Sequence, residues 1–113
     1  MELCNLSEVV VRETDTYDDL ARKVRIATVL GTAQSSLTHF KYIRPEWKFN
    51  CEEERLLGVS LTGIMDSPLL NHIHIDLTGI LNRLRDISIF ANKRFAKEIG
   101  INPSVAITCV KPR

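Results

Sequence analysis

Three short apolar runs alternate with two long amphipathic segments, and this alternation constrains the fold more than any other feature of the chain. The runs are residues 3–12, 56–64 and 104–110. The segments 17–40 and 75–98 carry apolar residues at steps of three and four, the spacing of one helix face. Strand, helix, strand, helix, strand is the order of parallel β-α-β units. The sequence therefore predicts an α/β fold, β-α-β-α-β, with two long helices packed on a parallel sheet.

Local signals indicate where these elements begin and end. Thr16, followed three residues later by Asp19, fits the Ser/Thr-x-x-acid pattern of a helix start. Gly100 follows the second amphipathic segment and is expected to end that helix in a left-handed conformation. The charged segment 41–55 contains a proline, so we expect a loop there, with a short helix opening near Glu52.

Burial is predicted from the same patterns. Residues 3–12 include three consecutive valines, which is typical of a strand buried on both faces. The first amphipathic segment has one apolar stripe that is expected to face the core. Its members are Leu20, Val24, Ala27, Leu30, Ala33, Leu37 and Phe40. Three parallel strands with two helices still leave open edges and an uncovered sheet face, so the isolated chain is expected to form a homo-oligomer.

Composition excludes several classes of function. The 113 residues, 44% of them hydrophobic, are typical of one globular domain. A net charge of +1, from 15 basic and 14 acidic residues, provides no field to hold nucleic acid or an anionic membrane. The charged run EEER at 52–55 is expected to be solvated. No apolar run reaches the ~20 residues of a membrane span and the start lacks a secretory signal pattern, so we expect a cytoplasmic protein without membrane contacts.

Three cysteines are spaced too far apart for a disulfide framework or a paired zinc motif. Cys51, beside three glutamates, is expected to be exposed, and Cys109 is expected to be a core residue. Cys4, at the start of the first strand, is either a small packing hydrophobe or a reactive thiol. His72 and His74 form a close pair without a third ligand, so we predict no metal site.

Three stretches, in order, resemble a known enzyme family: "CNLSEVVVR", "EEERLLGVSLTGIMDSP" and "INPSVAITCVKP". The intervening "KVRIATVLGTAQSSLTHFKYIRPEWK" is similar to the same family. They resemble the catalytic barrel of class II, adenosylcobalamin-dependent ribonucleotide reductases, above all the monomeric ribonucleoside-triphosphate reductases. The resemblance implies successive units of a ten-stranded α/β barrel built from two five-stranded halves, of which this chain would be a part of the second.

The resemblance also implies a chemistry. In this family a thiyl radical takes hydrogen from the ribose 3′ carbon and the 2′ hydroxyl leaves as water, while a redox-active cysteine pair is oxidised to a disulfide that a thioredoxin-type reductant resets. By resemblance, Cys4 is one member of that pair. Asn5 would neighbour the ribonucleotide, and Lys111 and Pro112 would lead into the loop that holds its phosphates.

Other family features have no counterpart in these 113 residues. The radical cysteine and a glutamate belong to an Asn-Pro-Cys-Gly-Glu-like motif that is not found here, and neither Cys51 nor Cys109 matches the second redox cysteine. We therefore expect the isolated chain to be inactive and to bind no adenosylcobalamin. Two alternatives remain: a non-enzymatic module that binds itself or a partner through open sheet edges, and a small phosphate or nucleotide binder at the carboxyl ends of the strands.

Overall fold

A computed structural model describes residues 3–71 and 76–109 of the chain. In chain order the elements are β1 (Asn5–Val10), α1 (Tyr17–Ser35), α2 (Pro45–Glu54), β2 (Leu57–Thr62), α3 (Leu77–Ile99) and β3 (Ile107–Cys109), with a 3₁₀ turn at Ile64–Asp66. The architecture is mixed α/β, as the alternation of apolar runs predicts. The structure differs from the prediction in α2, which forms a ten-residue helix where the sequence indicates a loop with a short helix opening only near Glu52. It starts at Pro45 itself, because proline's missing N–H costs nothing in the first turn of a helix.

The three strands form one parallel sheet in the order β1-β2-β3. Asn5 pairs with Leu57, and Leu57 pairs with Ile107, so the strands are aligned at their amino ends. Helix α1 packs on β1 and β2, and α3 packs on β3 and on α1. Both long helices therefore cover the same face of the sheet, which is what consecutive crossovers of one hand produce when the strands add in sequence order.

The helix-covered face of the sheet is buried. The core there consists of aliphatic side chains from β1, β2, α1 and α3, including Val9, Leu57, Val59, Leu61, Leu20, Val24, Ile80 and Leu84. On the opposite side Leu6 is 61% exposed and Val10 is 44% exposed. The prediction that the first strand is buried on both faces is therefore wrong, whereas the prediction of an uncovered sheet face is confirmed for the part of the chain that the structure describes. We call this side, formed by Leu6, Glu8, Val10, Ser60 and Thr62, the open face.

The buried side of α1 changes character along the helix. Leu20, Val24 and Ala27 face the core as predicted, but Leu30 is 62% exposed and the helix ends at Ser35 before Leu37. In their place the helix buries small residues, namely Thr28, Gly31, Thr32 and Ser35. A Cβ at position 31 would lie 2.3 Å from Leu57 Cδ1. The second half of α1 thus depends on side-chain size, because only small residues let it approach β2 and α3 so closely.

The amino end of α1 is fixed by a capping box, as the sequence predicts. The Asp19 N–H donates to Thr16 Oγ1 (3.3 Å), and the Thr16 N–H donates to Asp19 Oδ2 (3.0 Å). Just before it, Asp15 accepts from the Lys23 ammonium and from the Arg12 N–H (2.8 Å). Both carboxylates have a pKa below the ordinary value of 3.8: the Lys23 hydrogen bond lowers that of Asp15, and the Thr16 backbone N–H lowers that of Asp19.

Acid is expected to weaken this end of α1. Because both carboxylates have a lower pKa in the folded chain than in the unfolded one, the stability they contribute is present above pH 3.8 and is lost as the pH falls through their folded values. Urea unfolding at pH 6 and at pH 3 measures the loss. Asp19→Asn should make the free energy of unfolding less sensitive to this change of pH. A variant as sensitive to pH as the parent chain would contradict the assignment.

Arg55 follows α2 and is not part of a solvated charge run, contrary to prediction. Its side chain is only 8% exposed, and its Nη1 donates to the Ser35 carbonyl at 2.6 Å. Ser35 is the last residue of α1, whose unpaired carbonyls carry partial negative charge that a guanidinium stabilises. The backbone of Arg55 is left-handed, with φ +47°, and ends α2. Arg55 therefore joins the ends of two helices, a role that its neighbours in sequence do not indicate.

In the described part of the chain, no helix is both long enough and apolar enough to cross a membrane.

Candidate functional site

The candidate redox residue, Cys4, directly precedes β1 and is exposed. Side chains alternate along an extended chain, so Cys4 belongs with Leu6 and Glu8 to the uncovered side of the sheet. The next residue is firmly placed, because the Asn5 N–H donates to the Leu56 carbonyl at 2.9 Å. The structure thus puts the one thiol that the sequence singles out at the amino edge of the open face, where reagents reach it.

Further along the open face, polar groups from β1 and β2 lie side by side. Glu8 pairs in register with Ser60, and the Thr62 hydroxyl donates a hydrogen bond to the Glu8 carboxylate. None of these three residues is singled out by the sequence analysis. The parallel register identifies them. Because Leu6 and Val10 face solvent, the residues of β2 that pair with this side of β1, at every second position, lie on the same side of the sheet. The open face therefore combines a thiol, a carboxylate and two hydroxyls with exposed aliphatic groups.

Asn5, the predicted neighbour of a substrate, has its amide engaged within the fold. Its Nδ2 donates to the Leu56 carbonyl at 3.2 Å, the same oxygen that accepts from the Asn5 N–H. The residue is half-buried and alternates with Cys4, so it belongs to the helix-covered side. Asn5 thus fixes the start of β1 against β2, and its contact with a substrate stays a prediction.

The second cysteine is not where the sequence suggests. Cys51 is 5% exposed, so the prediction of an exposed thiol is wrong. It occupies the inner side of α2, whereas the neighbouring Glu53 and Glu54 point to solvent. Its sulfur accepts a hydrogen bond from the Leu3 N–H at 3.4 Å, at the amino edge of the sheet. Cys109 is placed in β3 opposite Val59, and its side chain lies outside the described part of the structure.

A hollow of about 700 Å³ opens at the carboxyl ends of β1 and β2, where α/β proteins usually bind ligands. Arg12, Glu13, Thr14 and Asp66 line it. Two carboxylates beside one guanidinium give the hollow a negative balance, which disfavours a phosphate group. The alternative of a phosphate or nucleotide binder therefore gains no support from these residues.

Several predicted positions fall on residues that the structure does not describe. Lys111 and Pro112, the expected approach to a phosphate loop, lie outside the described residues, and so do His72 and His74. Among residues 3–71 and 76–109, no three His, Cys, Asp or Glu side chains are grouped so that they would hold a metal ion.

Comparison of the chain with protein-family models, with curated proteins and with solved structures found no match.

Proposed function

We propose that this chain forms part of the catalytic barrel of a class II ribonucleotide reductase, in which Cys4 is one of the two cysteines that reduce the substrate. The observation that carries the proposal is the one-sided sheet: both long helices lie on one face, and Cys4 is exposed at the edge of the other. A barrel of β-α units has this arrangement, with helices outside and the opposite face of every strand turned inward.

The composition of the open face supports the same proposal. A sheet face that contacts solvent is usually polar, and one that packs in a core is usually apolar. Here exposed Leu6 and Val10 alternate with Glu8, and Ser60 and Thr62 stand beside them. Such a mixture suits the wall of an enclosed substrate site, where aliphatic groups exclude water and a few polar groups orient the ligand.

The edge of β1 supports it further. The N–H groups of Asn5 and Val11 point toward β2, so those of Leu6 and Glu8 point away from it. An unpaired strand edge is a template for another strand. Ile26 and Leu30 of α1 are exposed beside this edge and line a hollow with Glu8 and Val10. A further β-α unit placed here would pair its strand with β1 and cover both apolar side chains with its helix.

In the proposed reaction Cys4 acts as a reductant. The thiols of Cys4 and of a second cysteine elsewhere in the enzyme supply two electrons and two protons. The ribonucleotide loses its 2′ hydroxyl as water, and the two sulfurs end as a disulfide. A thioredoxin-type dithiol then reduces that disulfide by exchange. An exposed thiol at the edge of the inner wall suits both steps, because it has to meet the substrate and then a reductant.

The test is a class II reductase in which this chain replaces the corresponding barrel segment, assayed for deoxyribonucleotide with a thioredoxin-type reductant. The chimaera is expected to turn over, and Cys4→Ser should lower its turnover by about 100-fold or more, because serine cannot enter disulfide exchange. Cys109→Ser is the matched control and should retain turnover. A folded chimaera that reduces no ribonucleotide, or a Cys4→Ser chimaera that is as active as its parent, would contradict the proposal.

The unpaired edge also favours a second candidate, a module that associates with a second copy of itself through β1. One feature of the edge opposes this, because Lys23 Nζ donates to the Val10 carbonyl at 2.9 Å and blocks the carboxyl end of the strand. Pairing would therefore use Leu6 and Glu8 at the open end of β1.

Self-association is expected to depend on that open end. Light scattering during size-exclusion chromatography of the reduced chain should show a dimer, and Leu6→Lys should convert it to a monomer, because lysine at an edge strand opposes pairing. Leu37→Lys changes an exposed leucine outside the sheet and should leave the dimer intact. A monomeric parent chain would contradict this second candidate.

A further inference from the structure

At the amino edge of the sheet, the residue before Cys4 is hydrogen-bonded to a second cysteine that is distant in sequence, Cys51. The Leu3 N–H donates to Cys51 Sγ at 3.4 Å, and Asn5 is bonded twice to the Leu56 carbonyl, at 2.9 and 3.2 Å. Cys4 therefore stands between two residues that are both attached to the segment from Cys51 to Leu56. The Cys51 carbonyl in turn accepts from the Arg55 N–H at 3.1 Å, which fixes this segment internally.

Covalent geometry limits how far apart the two cysteines can be. Across one peptide unit the amide nitrogen of Leu3 lies about 5 Å from the Cys4 Cα, so that Cα is within about 8 Å of Cys51 Sγ and within about 11 Å of the Cys51 Cα. A disulfide needs Cα atoms about 4.4 to 6.8 Å apart. Bond formation therefore requires the residues ahead of β1 to move toward α2 and the Cys4 side chain to turn away from the open face, and the hydrogen bond from Leu3 to the sulfur is the first contact to be given up.

We propose that Cys4 and Cys51 form a reversible disulfide that makes the chain sensitive to low-molecular-weight disulfides such as oxidised glutathione. The two thiols differ in access: Cys4 is exposed, and Cys51 is 5% exposed. The exposed thiol reacts first with the reagent, and the buried thiol then resolves the product. This pairing concerns only thiols of this chain and does not depend on the proposed reductase activity.

The reaction balances in two exchange steps. The Cys4 thiol loses a proton and its sulfur attacks oxidised glutathione, which forms a mixed disulfide and releases one glutathione thiolate. The Cys51 thiol loses its proton and its sulfur attacks Cys4 Sγ, which forms the Cys4–Cys51 bond and releases the second thiolate. Each thiolate takes up one proton. Two protein thiols are thus oxidised by two electrons, and one molecule of oxidised glutathione becomes two of glutathione.

The bond would tie the amino end of β1 to the inner side of α2. It would also withdraw the exposed thiol from other chemistry, including covalent dimer formation between copies. A thiol held nearby acts at an effective concentration on the order of millimolar. At about 10 µM protein, the intramolecular disulfide is therefore expected to exceed the covalent dimer by about 100-fold.

The experiment treats the folded, reduced chain with oxidised glutathione, blocks remaining thiols with iodoacetamide, and maps tryptic peptides by mass spectrometry without reduction. Trypsin places each cysteine in its own peptide, residues 1–12, 49–55 and 98–113. The expected result is a cross-link between the first two peptides and an alkylated Cys109. Cys109→Ser should give the same cross-link, and Cys51→Ser should retain glutathione on Cys4.

Other products would overturn the proposal. A stable glutathione adduct on Cys4 in the parent chain would show that Cys51 does not resolve it. A cross-link from Cys4 to Cys109, or covalent dimers as the main product, would show that another thiol is nearer. The parent chain alone decides between these outcomes, so the test does not depend on how well any variant folds.

Discussion

Replacing Gly63 with alanine is expected to lower the free energy of unfolding by about 3 kcal/mol. Gly63 follows β2 with φ +83°, a left-handed conformation that costs a residue with a Cβ about 1 to 2 kcal/mol. A Cβ there would also lie 2.6 Å from the Val11 carbonyl oxygen. That oxygen belongs to the backbone, so the clash cannot be relieved by rotating a side chain. The Val11 N–H donates to the Thr62 carbonyl at 2.7 Å, and this hydrogen bond holds the two strand ends together.

Gly79→Ala is the matched control for this prediction. Gly79 lies in α3, where an added Cβ would meet no atom of the described residues within 4 Å, apart from its own neighbours in the helix. Alanine there should raise the free energy of unfolding by up to about 1 kcal/mol, because glycine is the poorer helix former. Urea unfolding of the three proteins measures both effects. Two alanine substitutions that change stability in the same direction would contradict the assigned role of the left-handed turn.

Asn92→Ala is expected to lower the free energy of unfolding by about 2 to 3 kcal/mol. Asn92 is 1% exposed and connects α3 to α1 and to the segment before β3. Its Nδ2 donates to Thr32 Oγ1 (2.8 Å) and to Ser104 Oγ (3.0 Å), and its Oδ1 accepts from the Ser104 N–H (2.9 Å). Alanine would leave the Ser104 N–H and the Thr32 hydroxyl without this partner, and unsatisfied polar groups away from water are costly.

Asn82→Ala tests whether the effect belongs to the site rather than to the residue type. Asn82 lies on the exposed side of the same helix, so its replacement should change stability by no more than about 0.5 kcal/mol. Urea unfolding measures the difference. Hydrogen exchange gives a second readout, because loss of the Ser104 contact should speed exchange of backbone amides in β3 more than in β1. Equal stability of the two variants would contradict a linking role for Asn92.

Local sequence patterns predict the elements that depend on neighbours in the chain. The capping box of Thr16 and Asp19 forms as expected, and Gly100 ends α3 with φ +76°. Both signals act within a few residues, where backbone hydrogen bonding and conformational freedom decide the structure. For the candidate site, the sequence singles out Cys4 by its position at the start of the first strand, and its redox role comes only from the resemblance. The structure adds its exposure and its place beside the open face.

Patterns fail where a distant contact decides the outcome. The apolar stripe of the first amphipathic segment suggests that Leu30 faces the core. Thr28 and Thr32 are buried instead, because Ser88 and Asn92 of α3 supply hydrogen bonds at 3.0 and 2.8 Å. The hydrophobicity pattern of one segment does not show which polar residues of another helix will form hydrogen bonds with its threonines.

The sequence by itself determined the order of the three strands and the two long helices, the parallel sheet and its uncovered face, since periodicity and crossover length suffice for these. Only the tertiary structure decided that Arg55 and Cys51 are buried. The Arg55 guanidinium donates to the last carbonyl of α1, and Cys51 lies against the amide of Leu3. Both partners are far away in the chain, and a charge is buried only when such a partner is brought to it by folding.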